Sequence, residues 1–506
     1  MTPDNDTPEY ACVIFALAES SLEKGVIWAG TNDGLVQVTR DGGPHWANVT
    51  ANIPDLPPWG TVSCVEPSRY EPRTCYITVD FHQVNNRNPY VYKTEDYGRS
   101  WKALSSDIPR SLFSYAHCIR EDPVRKGLLY LGTENGLYVS FNDGMNWLPL
   151  QSNLPHAPVH WLVVQEHFND LVVATYGRGF WILDDLTPFQ QLDSHVHDST
   201  AYLFAPRPAY RFLSRETVLD QPDNGHAGQN PPAGAALNYY LNSALPGDVK
   251  ITIEDDQGQI VRTLAGTKTP GINRVWWDLR TDPANRIRLR TSPIFAPQVG
   301  LGPEGWRPLP GGGGPINFRV APGTYIVRLR AGGQEFSQKL SLRKDPGSSG
   351  SDADVLAQRQ FLLDLRDMSN STADIVNKIE TIRRQIYDLS DSLKDKRSAA
   401  SVLASGKELD QKLIALEGDL IELKLTGGSQ DWLRWPARFY AKLGSLAGSI
   451  AGTDYPPTAA RVEVYKIYKK QMESYKRRFA ELLGGEVSSF NGLLKKNEIS
   501  EIAIRE

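Results

Sequence analysis

Cysteine, methionine, net charge and long apolar runs are all scarce in this 506-residue chain. Its four cysteines, Cys12, Cys64, Cys75 and Cys118, are too few and too scattered for a disulfide scaffold or a Cys-x-x-Cys metal site. Cys64 and Cys75 fall on neighbouring strands of one expected hairpin, so a disulfide stands as an alternative to two buried free thiols. A net charge of -4 gives no electrostatic reason to expect nucleic acid or a membrane surface. No stretch reaches the ~18 consecutive apolar residues of a membrane span, and the opening MTPDNDTPEY is polar and acidic, unlike a signal peptide. Twelve tryptophans and 21 tyrosines are plentiful by contrast, which suits strand-rich structure with aromatic surfaces. The length asks for about three domains, because single cores stop growing near ~250–300 residues.

A repeated motif organises the first third. Residues 129–147, LYLGTENGLYVSFNDGMNW, read as strand, Gly-Thr, Asn-Gly turn, strand, and then Ser140-x-Asn142-x-Gly144-x-x-Trp147. Thr39-x-Asp41-x-Gly43-x-x-Trp46 and Thr94-x-Asp96-x-Gly98-x-x-Trp101 repeat it. Each tryptophan is followed eight residues later by a proline, Pro54, Pro109 and Pro155. Within 8–205 four modules of four short strands are expected, the last strand being 201–204; this is the period of propeller blades. The motif has a mechanical role: Asp or Asn bonds the backbone of its own turn, Gly supplies positive φ, and Trp packs between sheets. Asp41, Asp96 and Asn142 are therefore turn staples, and the amide of Asn142 cannot be a general acid.

These repeats resemble the Asp-box (BNR) repeats of sialidase-like and sortilin-like propellers. WAGTNDGLVQVTRDGG, VYKTEDYGRSW and ATYGRGFWILDDL are similar to bacterial BNR-repeat glycosyl hydrolases, or sortilin N-terminal-domain-like proteins, over the whole length. The resemblance implies a longer propeller with an N-terminal half not present here, supplied by missing chain or by another chain. It also implies an exported protein, periplasmic or extracellular. Tyr176-Gly177-Arg178-Gly179 would then mark the last blade.

The remaining chain reads as two further domains. A Pro/Gly/Asn-rich linker, 206–235, leads into strands at 236–345, whose Pro246-Gly247-Asp248 and Ala321-Pro322-Gly323-Thr324-Tyr325 resemble a small immunoglobulin-like module. A Gly/Pro-rich stretch within 291–317 reads as a disordered insertion; no helix follows Gly311–Gly314, as a phosphate cradle would need. Residues 352–505 read as an antiparallel helical bundle. Apolar residues at alternating spacings of four and three run from Phe361 to Leu393, from Leu409 to Leu423 and from Tyr465 to Leu482. Trp432 to Pro436 reads as the turn into a shorter helix. The fold class is thus β then α: propeller blades, an immunoglobulin-like sandwich and a helical bundle.

Chemistry is expected at the propeller mouth. The ligand-binding candidates are Asp80, His82, Asn88, His117, His160, Tyr176 and Arg178. Asp80 and His82 form the best pair, since i and i+2 on a strand share a face, and they are the only catalytic candidates. A glycosidase needs a second carboxylate roughly 5–10 Å away; Asp170, Asp184 and Asp185 are the acids considered for that place. No sialidase-type arginine triad accompanies Arg178 and Tyr176. No metal and no cofactor are expected, for lack of ligand spacing. The leading expectation is a propeller that recognises a protein or glycan without catalysis. The alternative is a glycoside hydrolase, and a third reading is an assembly factor held by its helices.

Overall fold

The computed structural model describes residues 12–213, 228–311, 314–426 and 433–503. Two compact units divide them. The first holds 12–207 with Asn238–Ser243 and Thr269–Ile272, and the second holds the rest.

The first unit is a succession of small antiparallel sheets, each a meander in chain order. Sheet one comprises β1 (Ile14–Glu19), β2 (Ile27–Thr31), β3 (Val36–Thr39) and β4 (Trp46–Asn48). Sheet two comprises β5 (Thr61–Pro67), β6 (Cys75–Asp80), β7 (Tyr90–Thr94) and β8 (Lys102–Ala103). Sheet three comprises β9 (Ala116–Glu121), β10 (Leu129–Thr133), β11 (Gly136–Ser140) and β12 (Leu148–Pro149). Sheet four has three strands, β13 (Val159–Gln165), β14 (Asp170–Thr175) and β15 (Phe180–Leu183). Its expected fourth strand is elsewhere. After β15 the chain turns through α1 (Thr187–Gln191) and α2 (Ser194–Asp198), the latter capped by the Asp193 carboxylate on Val196 N–H at 2.9 Å. Two helices thus stand where the other sheets have one turn. The strands that follow are β16 (Ala201–Leu203), β17 (Ala209–Arg211) and β18 (Ala235–Leu241), and β16 pairs antiparallel with β18.

The motif builds the same turn three times. The Gly43, Gly98 and Gly144 N–H groups donate to Thr39, Thr94 and Ser140 Oγ at 3.1, 2.9 and 2.9 Å. Asp41, Asp96 and Asn142 Oδ1 accept from the N–H of His45, Ser100 and Asn146 at 3.2, 2.9 and 2.9 Å. Both residues that close each turn have positive φ, as in Asp143 (61°) and Gly144 (79°). In sheets two and three the tryptophan then covers the preceding sheet. Trp101 meets Trp28 edge-on at 6.0 Å, and Trp147 Nε1 donates to the Leu104 carbonyl at 2.8 Å.

The first strands lie side by side: β5 packs between β1 and β9, and β9 beside β13. Glycine permits this approach. A Cβ at Gly30 would lie 2.3 Å from Val62 Cγ1, and one at Gly132 would lie 2.5 Å from the Val159 carbonyl oxygen. The core fills the space between sheets, with Trp28, Ile77, Tyr92 and Trp101 in one part and Tyr130, Leu131, Trp147 and Leu162 in the next. Cys64, Cys75 and Cys118 are buried and free, so the disulfide alternative does not hold. Burial raises the pKa of all three thiols. Cys64 instead lies against the Ile119 carbonyl at 3.6 Å.

Next in the chain come β19 (Lys250–Glu254), β20 (Ile260–Ala265), β21 (Gly271–Trp277), β22 (Arg288–Leu289), β23 (Arg307–Pro308), β24 (Gly323–Ala331) and β25 (Gln334–Lys344). A five-stranded sheet has the order β17-β25-β24-β19-β20, with β17 parallel to β25. The helices are α3 (Asp352–Leu393), α4 (Ala400–Leu420), α5 (Phe439–Ala451), α6 (Ala459–Glu481) and α7 (Ser488–Lys496). A capping box of Ser351 and Asp354 starts α3, and α4, α5 and α6 pack on it. Met368, Ile375, Ile379, Ile382 and Ile386 of the first seam are buried there.

The stretch expected as a disordered insertion is docked instead. Within it, Ile316 is buried in the helices' core with Leu309 packed against it, and the Thr291 N–H and hydroxyl both donate to Glu380 of α3 at 2.8 Å. The apolar residues flanking the glycines are what anchor it. Gly312, Gly313 and Trp432 lie outside the described residues. Among the described residues no helix is long and apolar enough to cross a membrane.

Candidate functional site

One rim of the first unit collects the start of each first strand and the end of each second strand. The register pairs there are Ile14 with Thr31, Thr61 with Asp80, Ala116 with Thr133 and Val159 with Thr175. Just inside it, every first strand carries a β-bulge at the equivalent place. The extra residues are Phe15, Ser63, His117 and His160. A bulge breaks the strand alternation and re-aims a side chain. In consecutive sheets this brings the His117 and His160 rings to 4.2 Å.

The rings continue along the rim as a row. His82 stacks on Tyr115 at 5.2 Å, Tyr115 meets His117 edge-on at 5.3 Å, and His160 stacks on Tyr176 at 5.5 Å. The Arg87 guanidinium lies 5.5 Å over the Tyr115 ring. Exposure rises along the row, from buried Tyr115 to Tyr176, which is 73% exposed. The row is a polar aromatic surface open to solvent at its Tyr176 end.

Two carboxylates underlie it. Asp80 is buried and ends β6. Its Oδ1 accepts the His82 N–H at 2.8 Å, and its Oδ2 lies 2.6 Å from His82 Nδ1. The expected pair is therefore formed, though by a turn: His82 opens a single 3-10 turn, His82–Val84, rather than continuing the strand. Glu134 follows β10, and its Oε2 lies 2.8 Å from His117 Nε2. Partial desolvation by its neighbours, and next the His117 charge, hold the His160 pKa below the usual imidazole range although the residue is exposed, against the pull of Glu134 and Asp80. Burial also raises the Tyr115 phenol above its usual range, reinforced by its hydrogen bond to Glu134.

Of the expected site residues, Asp80, His82, His117, His160 and Tyr176 come together on this rim. Asn88 lies in the loop after His82, where its N–H donates to Asn86 Oδ1 at 3.1 Å. Arg178 lies in the exposed turn before β15, its carbonyl accepting from Trp181 Nε1 at 3.0 Å. The guessed partner acids for Asp80 are misplaced. Asp170 starts β14, about 17 Å of strand from the rim, and its carboxylate is tied to Arg207 at 2.6 Å. Asp184 and Asp185 follow β15 at that same end, and Asp185 accepts from Thr187 Oγ1 and Asn238 Nδ2 at 2.6 and 2.7 Å.

Sequence reasoning missed Tyr115, Arg87 and Glu134. A signal for Glu134 existed: it is the first residue after the second strand of its sheet, the place Tyr176 holds in the next. Against the expectation of no metal ligands, His117, Glu134 and His160 each offer one donor atom within 4.8 Å of the others.

No family model and no curated protein matches this chain. Solved structures similar to it are β-propeller-like at low identity. YCF48 from Cyanidioschyzon merolae is 17% identical at a TM-score of 0.25, covering 34% of this chain and 52% of that one. A YCF48 bound to D1 peptide is 15% identical at 0.24, covering 64% and 81%. The GH74 enzyme of Niastella koreensis is 10% identical at 0.27, covering 65% and 45%. This chain therefore spans about half the length of the first and the third. At these TM-scores the architecture rests on the strand pairing itself.

Proposed function

We propose that the first unit is a run of Asp-box propeller blades that recognises a protein or glycan ligand at the His82–Tyr176 rim, without catalysis. The second unit would carry an immunoglobulin-like sandwich and a helical bundle. The observation that supports recognition is the row of stacked rings with Arg87 beside it. Tyrosine and arginine give large contact area at little cost in side-chain ordering. Both oxygens of Asp80 are engaged by His82, which leaves this acid poorly placed to attack or protonate a substrate.

The test is binding of the purified chain to immobilised peptide and oligosaccharide libraries, with Kd measured for the strongest hit. Tyr176→Ala should weaken that Kd by about tenfold or more. An unchanged Kd in both Tyr176→Ala and Tyr115→Ala would remove the rim as the binding surface.

A glycoside hydrolase is the second reading, favoured by one observation: the rim carries two carboxylates, Asp80 at 2.6 Å from His82 Nδ1 and Glu134 at 2.8 Å from His117 Nε2. It predicts released sugar, abolished in Asp80→Asn with binding retained.

The repeat also implies a further sheet against sheet one. Trp101 and Trp147 are 8% and 5% exposed because a preceding sheet covers them, whereas Trp46 is 40% exposed, and Phe15 and Leu17 of β1 are exposed too. A sheet of the same kind, from this polypeptide or another, fits that face. The intact mass of the native polypeptide, with any co-purifying chain, checks it; a lone 506-residue monomer would contradict it.

A further inference from the structure

The cluster of His117, Glu134 and His160 supports an inference that does not depend on what the rim binds. Each ligand comes from a fixed backbone position: the bulge of β9, the residue that follows β10, and the bulge of β13. The Glu134 N–H is itself anchored on the Tyr115 carbonyl at 3.1 Å. All three donor atoms lie within 4.8 Å of one another, and His117 Nε2 and Glu134 Oε2 are already 2.8 Å apart.

The donor set decides the kind of ion. Two imidazole nitrogens and one carboxylate oxygen suit zinc and its late first-row neighbours, whereas magnesium and calcium favour oxygen ligands throughout. Bonds of about 2.0–2.2 Å place tetrahedral donors roughly 3.3 Å apart. The His117–Glu134 contact would open by about half an ångström and His160 would close in, movements within side-chain reach. Burial differs usefully among the three. The His117 and Glu134 side chains are 10% and 22% exposed and are held by the sheets, while His160 is exposed to solvent. The Tyr115 ring packs edge-on against His117 at 5.3 Å and so helps to fix the orientation of that imidazole.

We propose that His117, Glu134 and His160 form a three-ligand site for a zinc-type divalent cation, with its remaining coordination position open to solvent. Three protein ligands leave a place for water, or for a carboxylate or carbonyl oxygen of an incoming molecule. His82 is not a ligand, since Asp80 and the Tyr115 ring hold it in its own pair.

The experiment is titration of chelator-treated protein with cobalt(II) chloride and zinc chloride, read by cobalt d–d absorption and calorimetry. The wild type should bind one ion per chain, with zinc displacing cobalt. Glu134→Gln and His160→Gln should each weaken binding by about tenfold or more, with the unfolding midpoint unchanged. His160 is exposed and Gln is isosteric with Glu, so both variants should fold. His195→Gln, in exposed α2, should bind as the wild type does. Two results overturn the proposal: no saturable binding up to about 1 mM metal, or one isotherm shared by the wild type and both ligand variants.

Discussion

His117 and His160 hold the same place in consecutive sheets, each the extra residue of a bulge in a first strand, and their ring centroids are 4.2 Å apart. Their separation of 43 positions in the sequence hides a relation that the bulge makes direct. The other two first strands place Phe15 and Ser63 at this position, so the fold supplies the position and only two sheets fill it with histidine.

The close approach of first strands depends on Gly132. A Cβ there would meet the Val159 carbonyl oxygen at 2.5 Å and Cys118 Sγ at 2.7 Å, and a backbone atom cannot swing aside. Gly132→Ala should cost about 1–3 kcal/mol in urea unfolding. It should also weaken rim binding, because β10 and β13 carry Glu134 and His160. Full stability in the variant would contradict the packing described.

The turn motif should behave as a staple. Asn142→Ala removes the acceptor for the Asn146 N–H and should cost about 1–2 kcal/mol, while Asn142→Asp, which keeps Oδ1, should be nearly neutral. Chemical unfolding of the two variants separates a hydrogen-bonding role from a packing one. Its equivalent Asp41 is held at a pKa of about 2, chiefly by its hydrogen bond with His45 and then by Thr39.

How much of this was legible in the sequence follows from spacing. Thr39, Thr94 and Ser140 stand at fixed offsets from Gly and Trp, so the three turns and the order of strands around them could be read directly. The i, i+2 rule paired Asp80 with His82, although a 3-10 turn rather than a strand makes the contact. Bulges leave no such trace, because one extra residue looks like ordinary strand. Glu134 had a signal in its place after the second strand, equivalent to that of Tyr176, but its partners lie 17 and 26 residues away in sequence. The docked stretch around β23 was misread since its glycines suggest disorder, while the anchoring partner of Thr291, Glu380, lies some 90 residues on.

In the second unit, Arg383 is buried among carboxylates, 2.8 Å from Glu380, 2.9 Å from Asp410 and 2.7 Å from Glu417. Arg383→Ala would leave these acids without their cation and should cost about 3–5 kcal/mol. Circular dichroism against urea measures it.

Glu417 of that cluster is fully buried, and desolvation, then the Glu380 charge, push its pKa well above the carboxylate range. A raised folded pKa means that its contribution is complete below the unfolded value near ~4.3 and is lost as pH rises through the folded one. Glu417→Gln should therefore gain stability relative to the wild type as pH rises above the ordinary carboxylate range. Parallel stability–pH curves for the two proteins would contradict the assignment.

The most direct measurement is diffraction from crystals soaked in zinc, with data collected on either side of the zinc absorption edge. The account predicts an anomalous difference peak bounded by His117 Nε2, the Glu134 carboxylate and His160, and lost in crystals of Glu134→Gln. A wild-type crystal with zinc only at surface histidines such as His195, or with no peak at all, would contradict it.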